Sequence, residues 1–301
     1  GRVERKLSVS FDRHKRQIKL NDAPPIRMDD YLYDTQVVAF TPEDLQIIRG
    51  APDIRRRFLD RAIFHTDINY LSEVRHYLRV LGHRNSLLKT ASRDQSVQEV
   101  IDEQFLQAGS RIVSRRLTLI KHLRPHMRTA FMRIFPDQDL NIDACYSSNI
   151  HDLSALSSCN DFVALEAHIR EGMAAQMKRL YPRERDRKSS LVGPHLDDLQ
   201  FSFQGQPFKS SASQGQTRGL VLALKVAEIF EIEARTKQHP ILILDDVAGE
   251  LDPRHASFLF QFLKETTGQV ILSATTPENI QLPNIKKYPH FSLSNGAISP
   301  L

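Results

Sequence analysis

The stretch Pro240–Asp252 reads PILILDDVAGELD. Its four successive apolar residues, Ile241 to Leu244, predict a fully buried β-strand. Two carboxylates, Asp245 and Asp246, follow where that strand emerges. A strand end holds its side chain rigidly. Asp245 therefore suits the hydration shell of Mg²⁺, and Asp246 suits orienting or deprotonating a water, which is the Walker B arrangement. Gly249-Glu250-Leu251-Asp252 is a short acidic turn suited to a subunit contact. A helix over 253–266 and a strand over 269–273 come next. Strand, helix, strand in that order predicts an α/β fold with a parallel sheet covered by helices.

One helix upstream lies Ser211-Ala212-Ser213-Gln214-Gly215-Gln216-Thr217-Arg218. Small residues and Gly215 let backbone N–H groups approach a phosphate. Ser213 adds a hydroxyl donor, and the positive end of the following helix, about 217–236, favours an anion. Ser213, Gln214, Gly215 and Gln216 are thus candidate nucleotide contacts. The competing reading is an ordinary N-cap with a pliable lead-in. The serine–glycine turn and the paired acids, one helix apart, are more specific than either alone.

Outward from this region the pattern changes twice. Residues 1–40 read as strands. Leu7, Val9 and Phe11 alternate with polar residues, Ile18 and Leu20 resume the period after a polar turn, and Val37–Phe40 is a short apolar run. Thr41-Pro42-Glu43-Asp44 has the chemistry of a helix start. From Asp53 to Phe135 the period is helical: Tyr70, Val74, Tyr77, Leu78 and Leu81 share a face, as do Ile112 or Val113, Leu117, Ile120 and Leu123. A third helix runs from about Phe162 to Leu180 and is expected to end at Pro182. Beyond Ser190 strands return, with Gln204-Gly205-Gln206-Pro207 closing a hairpin. The expected organisation is an α/β remnant over 1–50, a mainly helical lobe over 51–188, and a C-terminal α/β lobe over 189–301.

The net charge of +5 is uneven. Pro52 to Ile134 holds sixteen Lys or Arg against eight Asp or Glu, so the rest of the chain is net acidic. A basic helical block concentrates polyanions. Arg55, Arg56, Arg57, Arg75, Arg79, Arg111, Arg115 and Arg116 lie off the apolar stripes and are candidate contacts to DNA phosphates, with Arg56 and Arg57 also candidates to pair with Asp60. No apolar run approaches the roughly 18 residues of a membrane span, and no signal-peptide pattern opens the chain. Two cysteines, Cys145 and Cys159, cannot build a disulfide framework and are expected to be buried thiols in a cytoplasmic protein. No Cys/His spacing suits zinc.

The order of the two motifs is that of ABC-type ATPase heads, and the chain resembles the RecF family of bacterial recombination-repair ATPases. The resemblance is carried by VVAFTPEDLQIIRGAPDIRRRFLD (37–60), YLSEVRHYLRVLGHRNSLLK (70–89), LVGPHLDDL (191–199), SASQGQTRGLVLALKVAE (211–228) and ILILDDVAGELD (241–252). It implies an ABC-type head with a helical insertion lobe, sandwiching ATP and Mg²⁺ between two subunits. Ser213 and Gly215 would then meet the γ-phosphate held by the partner subunit. Asp245 would serve Mg²⁺, Asp246 would act on water, and Asp252 would lie in the subunit-contacting loop. Thr275 or Thr276 would be the polar switch residue. The implied role is sequence-independent binding of single-stranded or gapped DNA by an ATP-gated homodimer. That dimer would work with recombination mediators in gap repair and the SOS response. A long coiled-coil arm of the SMC type is excluded, because the helical block is only some ~85 residues without sustained heptads.

Three departures stand out. Leu196 occupies the arginine position of the family's Gly-Pro-His-Arg-Asp-Asp stretch, and Gly249 stands where a serine is usual. None of the 12 glycines is followed by lysine, so G-x-x-x-x-G-K-[ST] is absent from these 301 residues. The chain opens on Gly1, and the expectation is that the N-terminal, P-loop-bearing part of the head is missing. Whether this polypeptide is an enzyme is left open. Alone it should bind ATP weakly and not turn it over, and the alternative is a nucleotide-independent DNA-binding, dimerising remnant.

Overall fold

A computed structural model describes residues 6–12, 15–25, 29, 32–33, 35–90, 95–136, 141–150, 161–245, 258–259, 261–262, 268–275, 288–294 and 296–300. The apolar run after Pro240 forms β7 (Ile241–Leu244), the middle of a three-stranded parallel sheet. It lies between β3 (Val37–Phe40), with Val37 opposite Ile241, and β8 (Val270–Leu272), with Val270 opposite Leu242. Leu242 and Leu244 are buried while Ile241 and Ile243 are half-buried, so the strand is not fully buried as its apolar run predicts. The expected N-terminal and C-terminal α/β portions therefore share one sheet.

The remaining elements surround that sheet. β1 (Leu7–Phe11) and β2 (Arg16–Leu20) form a separate antiparallel hairpin. After β3, Pro42–Leu45 is a 3-10 turn whose Asp44 carboxylate accepts from the Thr41 N–H at 2.9 Å. It leads into α1 (Gln46–Arg49), α2 (Pro52–Thr66), α3 (Tyr70–Lys89) and α4 (Gln95–Ile134). At 40 residues α4 is about 60 Å long. Next come β4 (Ile142–Ser147), α5 (Phe162–Arg187), β5 (Asp198–Phe203), β6 (Gln206–Pro207), α6 (Phe208–Ser211) and α7 (Gln214–Thr236). A C-terminal hairpin pairs β9 (Phe291–Ser294) with β10 (Ala297–Pro300). β4, β5 and β6 make an antiparallel sheet that crosses the boundary expected at 188/189. Its tight turn holds Gln204 at φ 51° and Gly205 at φ 75°, the left-handed pair that a two-residue hairpin requires.

The core is continuous across these layers. Leu220 through Leu224 are all buried, because α7 packs on the sheet with one side and on α4 with another. In α4, Ile112, Val113, Leu117, Ile120 and Leu123 are buried, as their spacing predicts. Three expectations fail. Leu78 is exposed, and the inward face of α3 carries Tyr70, Tyr77, Val80 and Arg84 instead. α5 continues through Pro182 to Arg187, since the proline lies on the exposed side, where water can satisfy the carbonyl it frees. Cys145 is exposed on β4, not buried; Cys159 lies outside the described residues. No helix among the described residues is long and apolar enough to cross a membrane.

Candidate functional site

The parallel sheet ends at Asp245. Its backbone N–H continues the ladder to Phe40 O at 3.0 Å, and on the other side Ser273 N donates to Leu244 O at 2.9 Å. These bonds fix both residues at the carboxyl ends of β7 and β8, where open α/β sheets take their ligands. The Ser273 hydroxyl donates to Asp245 Oδ1 at 2.6 Å, and both side chains are exposed. Thr275, two residues on, is exposed as well. A carboxylate and a hydroxyl offered to solvent from rigid strand ends form a hard-oxygen donor set, the kind that suits Mg²⁺. Asp246, Asp252 and Thr276 lie outside the described residues. Ser273 escaped the sequence reading; its signal was a hydroxyl residue one place after the apolar strand.

The second candidate element is the start of α7. Ser213 is its N-cap and closes a capping box: its Oγ accepts from Gln216 N at 3.1 Å, and its own N–H donates to Gln216 Oε1 at 2.8 Å. Thr217 Oγ1 also donates back to Ser213 O at 2.9 Å. The ordinary-cap reading is thus realised in the acceptor role of the hydroxyl. Its proton stays available to an outside acceptor, because Ser213 is exposed. Gln214 is exposed and Gly215 half-buried beside it, while the Gln216 amide oxygen is committed to the cap.

Residues 193–198 (Gly-Pro-His-Leu-Asp-Asp) build a polar hub with Tyr77, Arg116 and Tyr146. Gly193 sits at φ +120°, a conformation open to glycine, and an added Cβ would press on the Tyr77 hydroxyl. The Tyr77 hydroxyl meets His195 Nδ1 at 2.5 Å. Burial drives the His195 pKa down to about 4, so the ring is neutral near pH 7. Asp197 accepts from the Tyr146 hydroxyl at 2.8 Å, and burial pushes its pKa up to about 6. Leu196 is 49% exposed, so the missing arginine charge would have stood in solvent.

The eight arginines divide sharply. Arg116 is buried: it grips Asp60 with bonds of 2.9 to 3.1 Å and donates to Pro194 O at 2.8 Å. Arg55 clamps Asp198 through two bonds of 2.7 and 2.8 Å and reaches Gly50 O. Arg56 donates to Asp197 O at 2.8 Å. The donors of Arg116 and Arg55 are thus committed inside the fold, whereas Arg56 is half-buried and makes this one bond. The pairing of Arg56 or Arg57 with Asp60 is corrected: Asp60 is held by Arg116, and Arg57 pairs with Asp53 one turn earlier. Arg115 is bound to Asp67 at 2.9 Å and lies over the Phe162 ring. Arg57, Arg75, Arg79 and Arg111 remain largely solvent-facing, though Arg75 meets Asp29 at 2.6 Å and Arg111 lies 3.7 Å from Glu166. Arg79 has no ion-pair partner among the described residues.

No family model matches the chain. It is 38% identical over 274 residues to the DNA replication and repair protein RecF of Myxococcus xanthus, covering 91% of this chain and 70% of that protein. To the protein of the same name from Geotalea daltonii it is 32% identical over 296 residues, covering 98% of this chain and 78% of the relative. Two solved structures of the recombination mediator protein RecF in the RecFOR pathway superpose on 99% of this chain and 76% of theirs. The one with ATPrS gives a TM-score of 0.82 at 25% identity, and the one with ATP 0.81 at 24%. The architecture is an α/β, ABC-type ATPase head. With sequence identity above 30% over more than two thirds of each relative, the chain belongs to the RecF family of DNA replication and repair proteins.

Proposed function

We propose that this chain acts in recombinational DNA repair by binding DNA backbone on its helical lobe and contributing one half of an ATP clamp whose phosphate cradle these 301 residues do not encode. The observation that carries the DNA reading is the free face of α3. Arg75, His76, Arg79 and His83 are exposed along it, and the helix's single acid, Glu73, is turned toward Arg111 and Arg115 of α4. Guanidinium groups one turn apart suit phosphates and read no sequence, with Arg75 shared with Asp29 and Arg79 without an ion-pair partner among the described residues. Arg57 and Arg111 extend the same function on neighbouring helices. By family, the occupant is single-stranded or gapped DNA and the partners are recombination mediators in gap repair and the SOS response.

For the clamp, Asp245 with Ser273 would hold Mg²⁺ and Asp246 would orient the water. The Ser213 hydroxyl proton and the N–H groups around Gly215 would meet the γ-phosphate bound by the partner subunit, with Gln214 and Gln216 flanking. Asp252 would lie at the subunit contact and Thr275 would sense the phosphate. Mg-ATP, when bound, would supply the negative charge that Asp245 through the metal and Ser213 with Gly215 would share, and that hydrolysis would divide between the half-sites. The alternative, a nucleotide-independent DNA-binding chain, is favoured by the absence of G-x-x-x-x-G-K-[ST] from the sequence.

Fluorescence anisotropy with labelled single strand and gapped duplex tests the DNA reading. Affinity should fall linearly in log–log form as salt rises, and Arg79→Ala should weaken it on every sequence alike. A flat response between low and physiological salt argues against it.

A further inference from the structure

We propose that the C-terminal end of α5, together with the adjoining turn of α3, is a second phosphate-binding surface that carries DNA backbone away from the first. It rests on the DNA reading above and adds residues outside that site. The last turns of α5 read PRERDRK, Pro182 to Lys188. Glu184 in their midst is fully buried. Its two oxygens accept from Arg84 of α3 at 3.0 and 2.6 Å, and Oε1 also accepts from Leu191 N at 2.7 Å. Arg84 is pinned further by Asp102 at 2.7 Å and the Ser190 hydroxyl at 2.7 Å. The crossing of the two helices is therefore fixed at these residues.

Helix geometry then decides what surrounds the crossing. Neighbours on a helix stand about 100° apart, so Arg183 and Arg185 emerge on opposite flanks of Glu184. His83 emerges on one flank of Arg84. Arg187 follows Arg183 by one turn, Lys188 caps the helix in the left-handed conformation, and Arg79 precedes His83 by one turn. These six side chains are exposed and have no ion-pair partner among the described residues. A Cβ at Gly82, between Arg79 and His83, would meet nothing within 4 Å, so a backbone can approach closely there.

The local charge is lopsided. Asp102 and Glu184 are committed to Arg84. Gln98 bonds Tyr181, which brings the start of α4 against α5 and with it Glu99. Glu99, Glu103 and Asp186 are the exposed acids on these turns, Glu103 being paired with Arg170, against five lysines and arginines. The dipole at a helix C-terminus accounts for one or two cations, not for four on consecutive turns beside those of a second helix. Arginine in this density fits phosphate oxygens, which it can bind in a two-pronged way.

The test uses the 301-residue chain carrying Arg183→Gln, Arg185→Gln and Arg187→Gln together, with a fluorescein-labelled duplex between about 50 and 200 mM salt. We expect at least a roughly tenfold loss of affinity at the middle of that range. The slope of log affinity against log salt should become shallower by roughly two to three units, about 0.9 for each phosphate no longer neutralised. Wild-type binding with an unchanged slope in the triple variant overturns this surface and leaves the DNA reading standing. A wild-type chain that binds no DNA overturns both. DNA binding retained while binding of a poly-glutamate peptide disappears overturns it too, and reassigns the patch to an acidic protein. If the triple variant melts early, the exposed Arg187→Gln alone must still flatten the slope by about one unit.

Discussion

Arg116 and Arg79 look alike in sequence, each off an apolar stripe of its helix. In the fold Arg116 is the buried partner of Asp60, whereas Arg79 stands in solvent. Arg116→Ala leaves a carboxylate without its counter-ion, so it should cost about 3–5 kcal/mol in urea unfolding. Arg79→Ala should shift stability by less than about 0.5 kcal/mol and act on DNA affinity instead. Burial of a charged residue depends on which carboxylate the fold brings to it, here one 56 positions away, and periodicity carries no such information. The polar hub around His195 and Asp197 offers a sharper test. His195, with its pKa lowered to about 4, favours the folded state above pH 6.5 and withdraws that support as pH falls toward 4. Asp197, with its pKa raised to about 6, favours the folded state below 3.8 and withdraws support as pH rises toward 6. The two slopes oppose each other across pH 4–6 and largely cancel. Unfolding measured over that window should therefore show stability falling with pH in His195→Gln and rising with pH in Asp197→Asn. Equal slopes in both variants would contradict the assignment.

Elements are legible where local chemistry alone specifies them. β7 announces itself by four apolar residues ended by acids, and α7 by its serine cap, apolar body and following strand. The end of α5 is not legible in this way, because the rule against proline in helices assumes a carbonyl that cannot reach water, and Pro182 is exposed. The sequence at Ser213 is compatible with two roles, cap and phosphate contact, and only coordinates show the cap being made. Its stability share can be isolated: Ser213→Ala should cost about 1 kcal/mol, whereas Ser213→Asp, an equally good cap, should keep thermal stability within a few tenths of a kcal/mol. Helix packing adds a contrast no spacing rule reveals. A Cβ at Gly109 of α4 would touch the flexible end of Met173 at 2.6 Å, while one at Gly219 of α7 would strike the Phe135 ring at 2.5 Å. That ring is held against Phe131, itself fully buried. Gly109→Ala should be near neutral because methionine yields and alanine favours helix, whereas Gly219→Ala should lose about 1–3 kcal/mol. Chemical denaturation of the two single variants compares them directly.

At the scale of the whole molecule, the sheet order β3-β7-β8 draws together residues some two hundred positions apart, and it sets Asp245 and Ser273 side by side at one edge. The order strand, helix, strand implies a parallel sheet, but nothing local says that Val37–Phe40 is the neighbour of Ile241–Leu244. The division into lobes is harder to see, because β4 and β5 pair across the long helix α5 between them. These placements bear on what the chain can do with nucleotide. Among ATPases of this class the phosphates are gripped chiefly by a backbone cradle and its lysine, which are worth far more than one carboxylate and one hydroxyl at strand ends. No glycine of these 301 residues precedes a lysine, so that cradle is not encoded here. Titration calorimetry of the purified chain with Mg-ATP should accordingly detect no micromolar binding, and Asp245→Asn should change nothing in that experiment. Micromolar affinity abolished by Asp245→Asn would mean that the strand-end carboxylate binds nucleotide by itself, and the account of Asp245 and Ser213 as halves of a clamp completed by a second subunit would have to be abandoned.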